Sequence, residues 1–229
     1  MIIIPAYNEA ASIGAVIAEA RRLRPEPIVV IDDRSTDETA AIAEAAGATV
    51  LRLPLRLGAW GATQTGLRYA HEQGWGLVVT LDADGQHEPS GIAAVIAPLL
   101  DGRADVCIGA CPARVSRARR LAWHYFRSIS GLSHEDITSG FRAYNRAAIE
   151  TLIRPAATLL DYQDVGVLLI LRRHGLSVSE VPVLMKPRSN GKSQVFASWW
   201  KVAHYMVVTS ILTLAAIGLD DAPSEPYEY

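Results

Sequence analysis

The chain has 229 residues, half of them hydrophobic, with 24 acidic and 22 basic side chains and a formal net charge of −2. That length suits one α/β domain with a sizeable core, and the near-neutral balance provides no global basic field for nucleic acid. Cys107 and Cys111 are too few for a disulfide framework or a zinc site, so both are expected as small core or edge thiols in a reducing compartment.

The aliphatic run Met1-Ile2-Ile3-Ile4-Pro5 predicts a strand, Ile2–Pro5, buried on both faces. No charged-then-apolar leader precedes it, which places the expected active face on the cytoplasmic side. Ala6-Tyr7-Asn8-Glu9 follows, then a helical pattern over Ala10–Arg24. A second strand, Ile28–Ile31, ends in Asp32-Asp33, with Arg34-Ser35-Thr36 leading to a helix over Asp37–Ala46. Asp37 stands where an N-cap belongs, and Gly47 is a plausible helix stop. Strand Thr49–Leu53 precedes a Gly-punctuated stretch, Arg56–Gly66, that opens a helix ending near Gly74. Gly58 and Gly61 there either let the backbone approach a ligand or make a tight turn. Strand Leu77–Leu81, helix Pro89–Leu100 and strand Asp105–Gly109 complete this half, with Pro89 suited to the first helical turn. Helical patterns alternating with short aliphatic runs are the mark of βαβ units.

The strand Leu77–Leu81 ends in Asp82-Ala83-Asp84-Gly85-Gln86-His87. Residues i and i+2 of an extended chain project to one side, so Asp82 and Asp84 can present two carboxylates together. A hard divalent cation held by one or two carboxylates and by substrate phosphates would explain the pair; an ordinary Asp-Gly surface turn is the alternative. Three strands here deliver polar residues at their carboxyl ends, where ligands bind in open α/β sheets. That convergence favours a ligand site.

Five segments in register carry a resemblance. IPAYNE (Ile4–Glu9), VIDDRSTDET (Val30–Thr39), DADGQHEP (Asp82–Pro89), TSGFRAYNR (Thr138–Arg146) and EVPVLMKPRSNGKS (Glu180–Ser193) resemble the inverting family-2 glycosyltransferases. The most similar branch is that of dolichol-phosphate mannosyltransferase and the bacterial polyprenyl-phosphate glycosyltransferases. The resemblance implies an α/β fold of GT-A type: a Rossmann-like, mostly parallel sheet flanked by helices, with a C-terminal amphipathic, membrane-associated helix. It implies a glycosyltransferase domain at 1–193, divided into a nucleotide-binding half (1–110) and an acceptor half (111–193). A membrane-associated helix at 194–219 and a disordered tail at 220–229 would follow.

The resemblance also assigns roles. Pro5, Tyr7, Glu9 and Asp33 would form the slot for base and ribose, with Asp33 accepting from a ring N–H and Asp32 supporting the turn. Asp82, Asp84 and Gln86, the DXD-type motif, would hold Mg²⁺ or Mn²⁺ against the donor diphosphate, with Ala83 giving a backbone contact. Asp84 is thus a candidate catalytic residue, as is Arg188, a cationic partner for the diphosphate or the acceptor phosphate. Asp164 occupies the region where hydroxyl-directed relatives place a base; with a lipid acceptor it would orient the sugar or the acceptor loop. Two positions depart from the family pattern. Gln194 stands where relatives carry a lysine, for which Lys192 could substitute, and Cys111 stands where many carry an arginine, a duty Arg114 could take.

Ser139 and Arg142 are candidates for the acceptor phosphate, although Arg142 could instead brace its loop. Ser116–Leu132 interleaves arginines with Leu121, Trp123, Tyr125, Phe126 and Ile129, which fits an interfacial helix on anionic lipid or an ordinary amphipathic core helix. Ser198-Trp199-Trp200-Lys201 resembles an interfacial belt. Val202–Leu219 then fits an interfacial helix, a single short span or a helix packed on the enzyme's own surface. The reading is a metal-dependent, inverting transfer of a sugar from a GDP- or UDP-hexose to polyprenyl or dolichyl phosphate at a membrane surface. A membrane subunit or a second copy would be its protein partner. The rivals are the same fold acting on a hydroxyl acceptor, and a non-catalytic nucleotide-binding membrane partner.

Overall fold

The computed structural model describes residues 1–111, 134–158 and 165–186. Its strands are β1 (Ile2–Ala6), β2 (Ile28–Asp32), β3 (Thr49–Arg52), β4 (Leu77–Thr80), β5 (Val106–Ala110), β6 (Arg142–Asn145) and β7 (Val178–Pro182). They form one sheet in the order β3-β2-β1-β4-β6-β5-β7. The pairs β1–β2, β1–β4, β2–β3 and β5–β7 are parallel, whereas β6 runs antiparallel between β4 and β5. The helices are α1 (Ile13–Leu23), α2 (Thr39–Ala45), α3 (Gly58–Glu72), α4 (Ile92–Leu100), α5 (Arg146–Leu152), α6 (Pro155–Thr158) and α7 (Val165–Arg173). The expected mostly parallel α/β sheet is therefore present, and strands from both sides of residue 111 belong to it.

Successive side chains of a strand point to opposite faces, and both faces of this sheet are covered, so β1, β2, β4 and β5 are largely apolar on both sides. Ile3, Val29, Ile31 and Val78 pack on one face against Trp60, Leu67, Ile149 and Leu168. Ile2, Ile4, Val30 and Val79 pack on the other against Ile13, Ile17, Val95 and Ile96. Each fully buried isoleucine contributes about 1.5–3 kcal/mol relative to exposure. Cys107 lies buried in β5 and Cys111 half-buried just beyond it; burial pushes the Cys107 thiol pKa up.

Helix starts differ from the sequence expectation for local reasons. α1 begins at Ile13 instead of Ala10, because the Glu9 carbonyl accepts from Ser12 N–H (3.1 Å) and Ile13 N–H (2.9 Å) in a preceding turn. α2 begins at Thr39 with Glu38 as its N-cap, so Asp37 is not the cap itself. Asp37 instead closes a turn just outside, accepting from Thr39 N–H at 3.0 Å and from the Thr39 hydroxyl. The expected helix at Pro89 starts as a 3₁₀ turn, Pro89–Gly91, before α4.

The glycines of α3 do not break it. Gly66 faces the sheet, where a Cβ would lie 2.5 Å from Ile3 Cγ2. Its missing side chain lets helix and strand approach. Gly58 takes φ +79° at the helix start.

Among the described residues no helix is long and apolar enough to cross a membrane. Arg114, Asp164, Arg188, Lys192 and Gln194 lie outside the described residues, as do Ser116–Leu132, the helix expected at 194–219 and the tail at 220–229.

Candidate active site

The carboxyl ends of β2, β1 and β4, three neighbours in the sheet, bring the acidic segments together. The loops after β1 and β2 are laced to each other. Asn8 N–H donates to Ser35 Oγ (3.0 Å), Thr36 N–H to Asn8 Oδ1 (2.8 Å), Glu9 N–H to Thr39 Oγ1 (2.8 Å) and Ala10 N–H to Asp37 Oδ2 (3.2 Å). Asn8 and Arg34 both adopt positive φ, 55° and 61°, on either side of this lacing. Left-handed backbone at non-glycine positions clusters where surrounding bonds hold it, commonly at ligand sites. Desolvation raises the Asp37 pKa, but the bonds from Thr39 and Ala10 outweigh it and leave the carboxyl below its ordinary value. Asp32 is buried and accepts from Ser35 N–H at 3.2 Å, the turn-supporting geometry.

Asp33 is 3 % exposed. Its two oxygens accept from Leu57 N–H (2.6 Å) and Gly58 N–H (2.9 Å), so it anchors the start of α3 to the end of β2. A carboxylate at a helix start meets the positive end of the macrodipole. Arg56 completes this corner: its Nε is 3.9 Å from Asp33 Oδ2, and its guanidinium lies 3.7 Å from the Tyr7 ring centroid. Tyr7, Arg56 and the buried Asp33 thus form one connected corner. Glu9 stands at the same rim, accepting from Ser12 Oγ at 3.1 Å, while Pro5 lies within β1.

After β4 the chain turns sharply. Gly85 takes φ +75°, and Asp84 Oδ1 accepts from Gln86 N–H at 3.0 Å. The Asp82 side chain is 43 % exposed, whereas Ala83 and the bulk of Gln86 are buried. Asp82 lies directly against Gly140, where a Cβ would meet Oδ1 at 2.3 Å. His87 is buried behind Asp82: its Nδ1 accepts from Asp82 N–H at 3.0 Å and its Nε2 lies 3.5 Å from Asp82 Oδ2. The segment after β7 docks here too, since Lys186 N–H donates to the Gln86 carbonyl (2.8 Å) and His87 bridges to Met185. Arg188 follows Lys186 by two positions in the chain.

Ser139 and Arg142 are buried, Arg142 completely. Ser139 Oγ donates to the Gly109 carbonyl at 2.7 Å. Arg142 Nε and Nη2 donate to the carbonyls of Ser139 (2.9 Å) and Ile137 (2.6 Å). This is the bracing geometry that the sequence left open for Arg142.

Among the described residues no group of three or more His, Cys, Asp and Glu side chains converges as a self-sufficient metal site. The oxygen donors of Asp82, Asp84 and Gln86 nevertheless fit a hard cation such as Mg²⁺ or Mn²⁺, which takes one or two carboxylates and completes its shell with substrate phosphates and water. The Gly140 cradle that receives the Asp82 carboxylate is consistent with that use.

The Glycosyl transferase family 2 profile matches residues 1–158. The chain belongs to this family. It is 27 % identical over 225 residues to polyprenol monophosphomannose synthase of Mycolicibacterium smegmatis, covering 90 % of this chain and 84 % of that one. It is 29 % identical over 214 residues to undecaprenyl-phosphate mannosyltransferase of Micrococcus luteus, covering 85 % and 86 %. Among solved structures it is similar to glucosyl-3-phosphoglycerate synthase of Mycobacterium tuberculosis, crystallised with Mn²⁺, UDP-glucose and phosphoglyceric acid. The TM-score is 0.73 at 21 % identity, covering 100 % of this chain and 83 % of that one. At that identity the likeness is one of fold. This family-2 enzyme is a glycosyltransferase.

Three residues at its site escaped the sequence reading: Arg56, His87 and Gly140. The signal for His87 was its place beside the acidic pair. Arg56 and Gly140 carried none, because their partners are distant in the chain.

Proposed function

We propose that this glycosyltransferase transfers a sugar from a GDP- or UDP-hexose to polyprenyl or dolichyl phosphate, with inversion at the anomeric carbon and with Mg²⁺ or Mn²⁺. The observation that carries the reading is the acidic tip of β4, where a half-exposed Asp82 carboxylate and Asp84 follow a strand that neighbours β1, with the laced loops after β1 and β2 on the same edge of the sheet. Two relatives named for polyprenol and undecaprenyl-phosphate mannosyl transfer support the acceptor class. Tyr7 and Asp33, with Pro5 and Glu9 at the rim, would receive the base and ribose, and Ala83 would contribute a backbone contact. Asp82, Asp84 and Gln86 would hold the divalent ion, which when bound stabilises the negative charge growing on the departing diphosphate. Arg188, with Lys192 and Arg114, would supply cationic contacts to the phosphates.

An ionised lipid phosphate is already a nucleophile and needs no general base. Asp164 then orients the sugar or the acceptor loop. Ser139 and Arg142, the candidates for the acceptor phosphate, hold the carbonyls of Gly109, Ser139 and Ile137, and on this reading they would shape the loop before β6 for that phosphate. The enzyme would work at the membrane face, as a peripheral protein or through a single short span, where its acceptor resides.

The test is transfer from radiolabelled GDP-mannose, UDP-glucose and UDP-N-acetylglucosamine to polyprenyl phosphate in detergent, with and without Mn²⁺. One donor is expected to give lipid-linked sugar, with Asp84→Ala reducing turnover at least about 100-fold. Unchanged turnover in Asp84→Ala, or product that forms equally well in EDTA, would refute the metal assignment. Product on a soluble hydroxyl, with none on lipid, would refute the acceptor.

A further inference from the structure

His87 is 3 % exposed, lies three positions beyond Asp84, and takes no part in the transfer described above. Its ring makes two separate contacts with one residue. Nδ1 accepts from the Asp82 main-chain N–H at 3.0 Å, and an accepting Nδ1 in a neutral imidazole puts the ring proton on Nε2. That Nε2 faces Asp82 Oδ2 at 3.5 Å, at the outer limit of hydrogen-bond reach, a distance that contacts of this kind shorten in the loaded site.

The ring itself cannot wander. It packs against Phe141 with centroids 5.3 Å apart, and Phe141 is fully buried. The backbone of His87 bridges to Met185, and Gln86 beside it accepts from Lys186 N–H. On its other side the Asp82 carboxylate meets Gly140, whose carbonyl accepts from Thr80 Oγ1 at 2.7 Å. The carboxylate is therefore held between a buried imidazole and a glycine backbone, with its outer side open to solvent.

We infer that His87 is a positioning residue that holds the Asp82 carboxylate in the pose that binds the divalent ion, through its Nε2–H. This inference rests on the metal reading proposed above. Carboxylates that bind metals are themselves hydrogen-bonded, and loss of such a partner commonly costs 10–100-fold in metal affinity. Nδ1 and Nε2 do different work in this account: the first holds backbone, the second aims a side chain.

That division makes the test. In His87→Asn the amide can reach the position of Nδ1 but nothing reaches that of Nε2; in His87→Gln the amide reaches the position of Nε2. Mn²⁺ binding to the full chain is read by the EPR signal of free Mn²⁺, in the presence of UDP and, separately, of GDP. Melting curves monitor folding. His87→Asn is expected to fold and to bind Mn²⁺ about ten-fold more weakly, while His87→Gln stays within about three-fold of the parent. In an Asp82→Ala background His87→Asn should cost nothing further, because the effect passes through Asp82.

Parental affinity in His87→Asn, equal losses in both variants, or an undiminished loss in the Asp82→Ala background would overturn the inference. Should His87→Asn fail to fold, His87→Met, which fills the volume without a donor, takes its place beside His87→Gln. About a ten-fold loss in His87→Met with near-parental affinity in His87→Gln supports the assignment, and parental affinity in His87→Met or a ten-fold loss in His87→Gln overturns it. A parent chain that binds no Mn²⁺ with either nucleotide would instead refute the metal reading, and this inference with it.

Discussion

Arg56 covers Tyr7: the guanidinium sits 3.7 Å from the ring centroid, with its Nε 3.9 Å from the carboxylate of Asp33. The arginine side chain is half exposed, so the contact closes one face of the aromatic ring without burying it. A nucleobase that stacks on that face has to displace the guanidinium. An exposed cation–π contact is worth about 0.5–1 kcal/mol, and recovering that energy corresponds to roughly two- to five-fold in affinity. Arg56→Ala is expected to tighten nucleoside diphosphate binding by about that factor, with little change in melting temperature. Isothermal titration with UDP and GDP reads it, and weaker binding would show that Arg56 contacts the ligand directly.

Asp33 links stability and site. It is buried, and its oxygens accept the N–H groups of Leu57 and Gly58 that open α3. Replacing it with alanine leaves two donors without their acceptor and a small void, at about 1–3 kcal/mol for each group left unpaired. Asp33→Asn retains one acceptor oxygen and should fall between parent and Asp33→Ala in thermal melts. Base recognition should weaken in both, because Asp33 is the proposed acceptor for the ring N–H of the base and the α3 start beside it loses its anchor.

Much of this was legible in the chain because the relevant physics is local. Ile2–Ile4, Ile28–Ile31 and Leu77–Val79 are aliphatic on both faces because the sheet is covered on both faces, and the polar residues that follow them mark its carboxyl edge. β6 and β7 were not legible. β6 reads Arg-Ala-Tyr-Asn, and its arginine is buried by bonding carbonyls of its own loop. β7 reads Val-Ser-Glu-Val-Pro at a sheet edge, where Glu180 accepts from the N–H groups of Glu135 (2.7 Å) and Asp136 (2.8 Å). Nothing in such short polar strings separates strand from loop. The same limit hid Gly140, whose role depends on a carboxylate fifty-eight positions earlier that only the sheet brings near.

Gly140→Ala tests that contact. A methyl group there would lie 2.3 Å from Asp82 Oδ1, yet the clashing atoms are the end of a flexible, half-exposed side chain. The carboxylate can swing outward, so the stability cost should stay below about 1.5 kcal/mol. Metal affinity should fall more than stability, because the displaced oxygen is a proposed ligand of the divalent ion. The expected outcome is a nearly parental melting curve with Mn²⁺ binding at least about ten-fold weaker. A parental Mn²⁺ affinity would show that the pose of Asp82 against Gly140 does not matter to the ion.

Acid should unlace the loops before it melts the sheet. Desolvation works to raise the Asp37 pKa, but the Thr39 hydroxyl and N–H and the Ala10 N–H more than offset it, so the folded carboxyl titrates below 3.8. A carboxyl depressed in the folded state binds fewer protons there than in the unfolded chain, so its stabilisation is complete above the unfolded value. It declines as pH falls through the folded one. Asp105, held by Ser177 and Asn145 at the opposite end of the sheet, is depressed in the same way and desolvated in the same way. Asp37→Asn should therefore lower the melting temperature at neutral pH, with the gap from the parent narrowing as pH drops below about 4. Asp105→Asn should show the same trend. Amide exchange at Ala10 and Thr39 separates the two sites: it should rise in Asp37→Asn and stay parental in Asp105→Asn, since only Asp37 bonds those N–H groups.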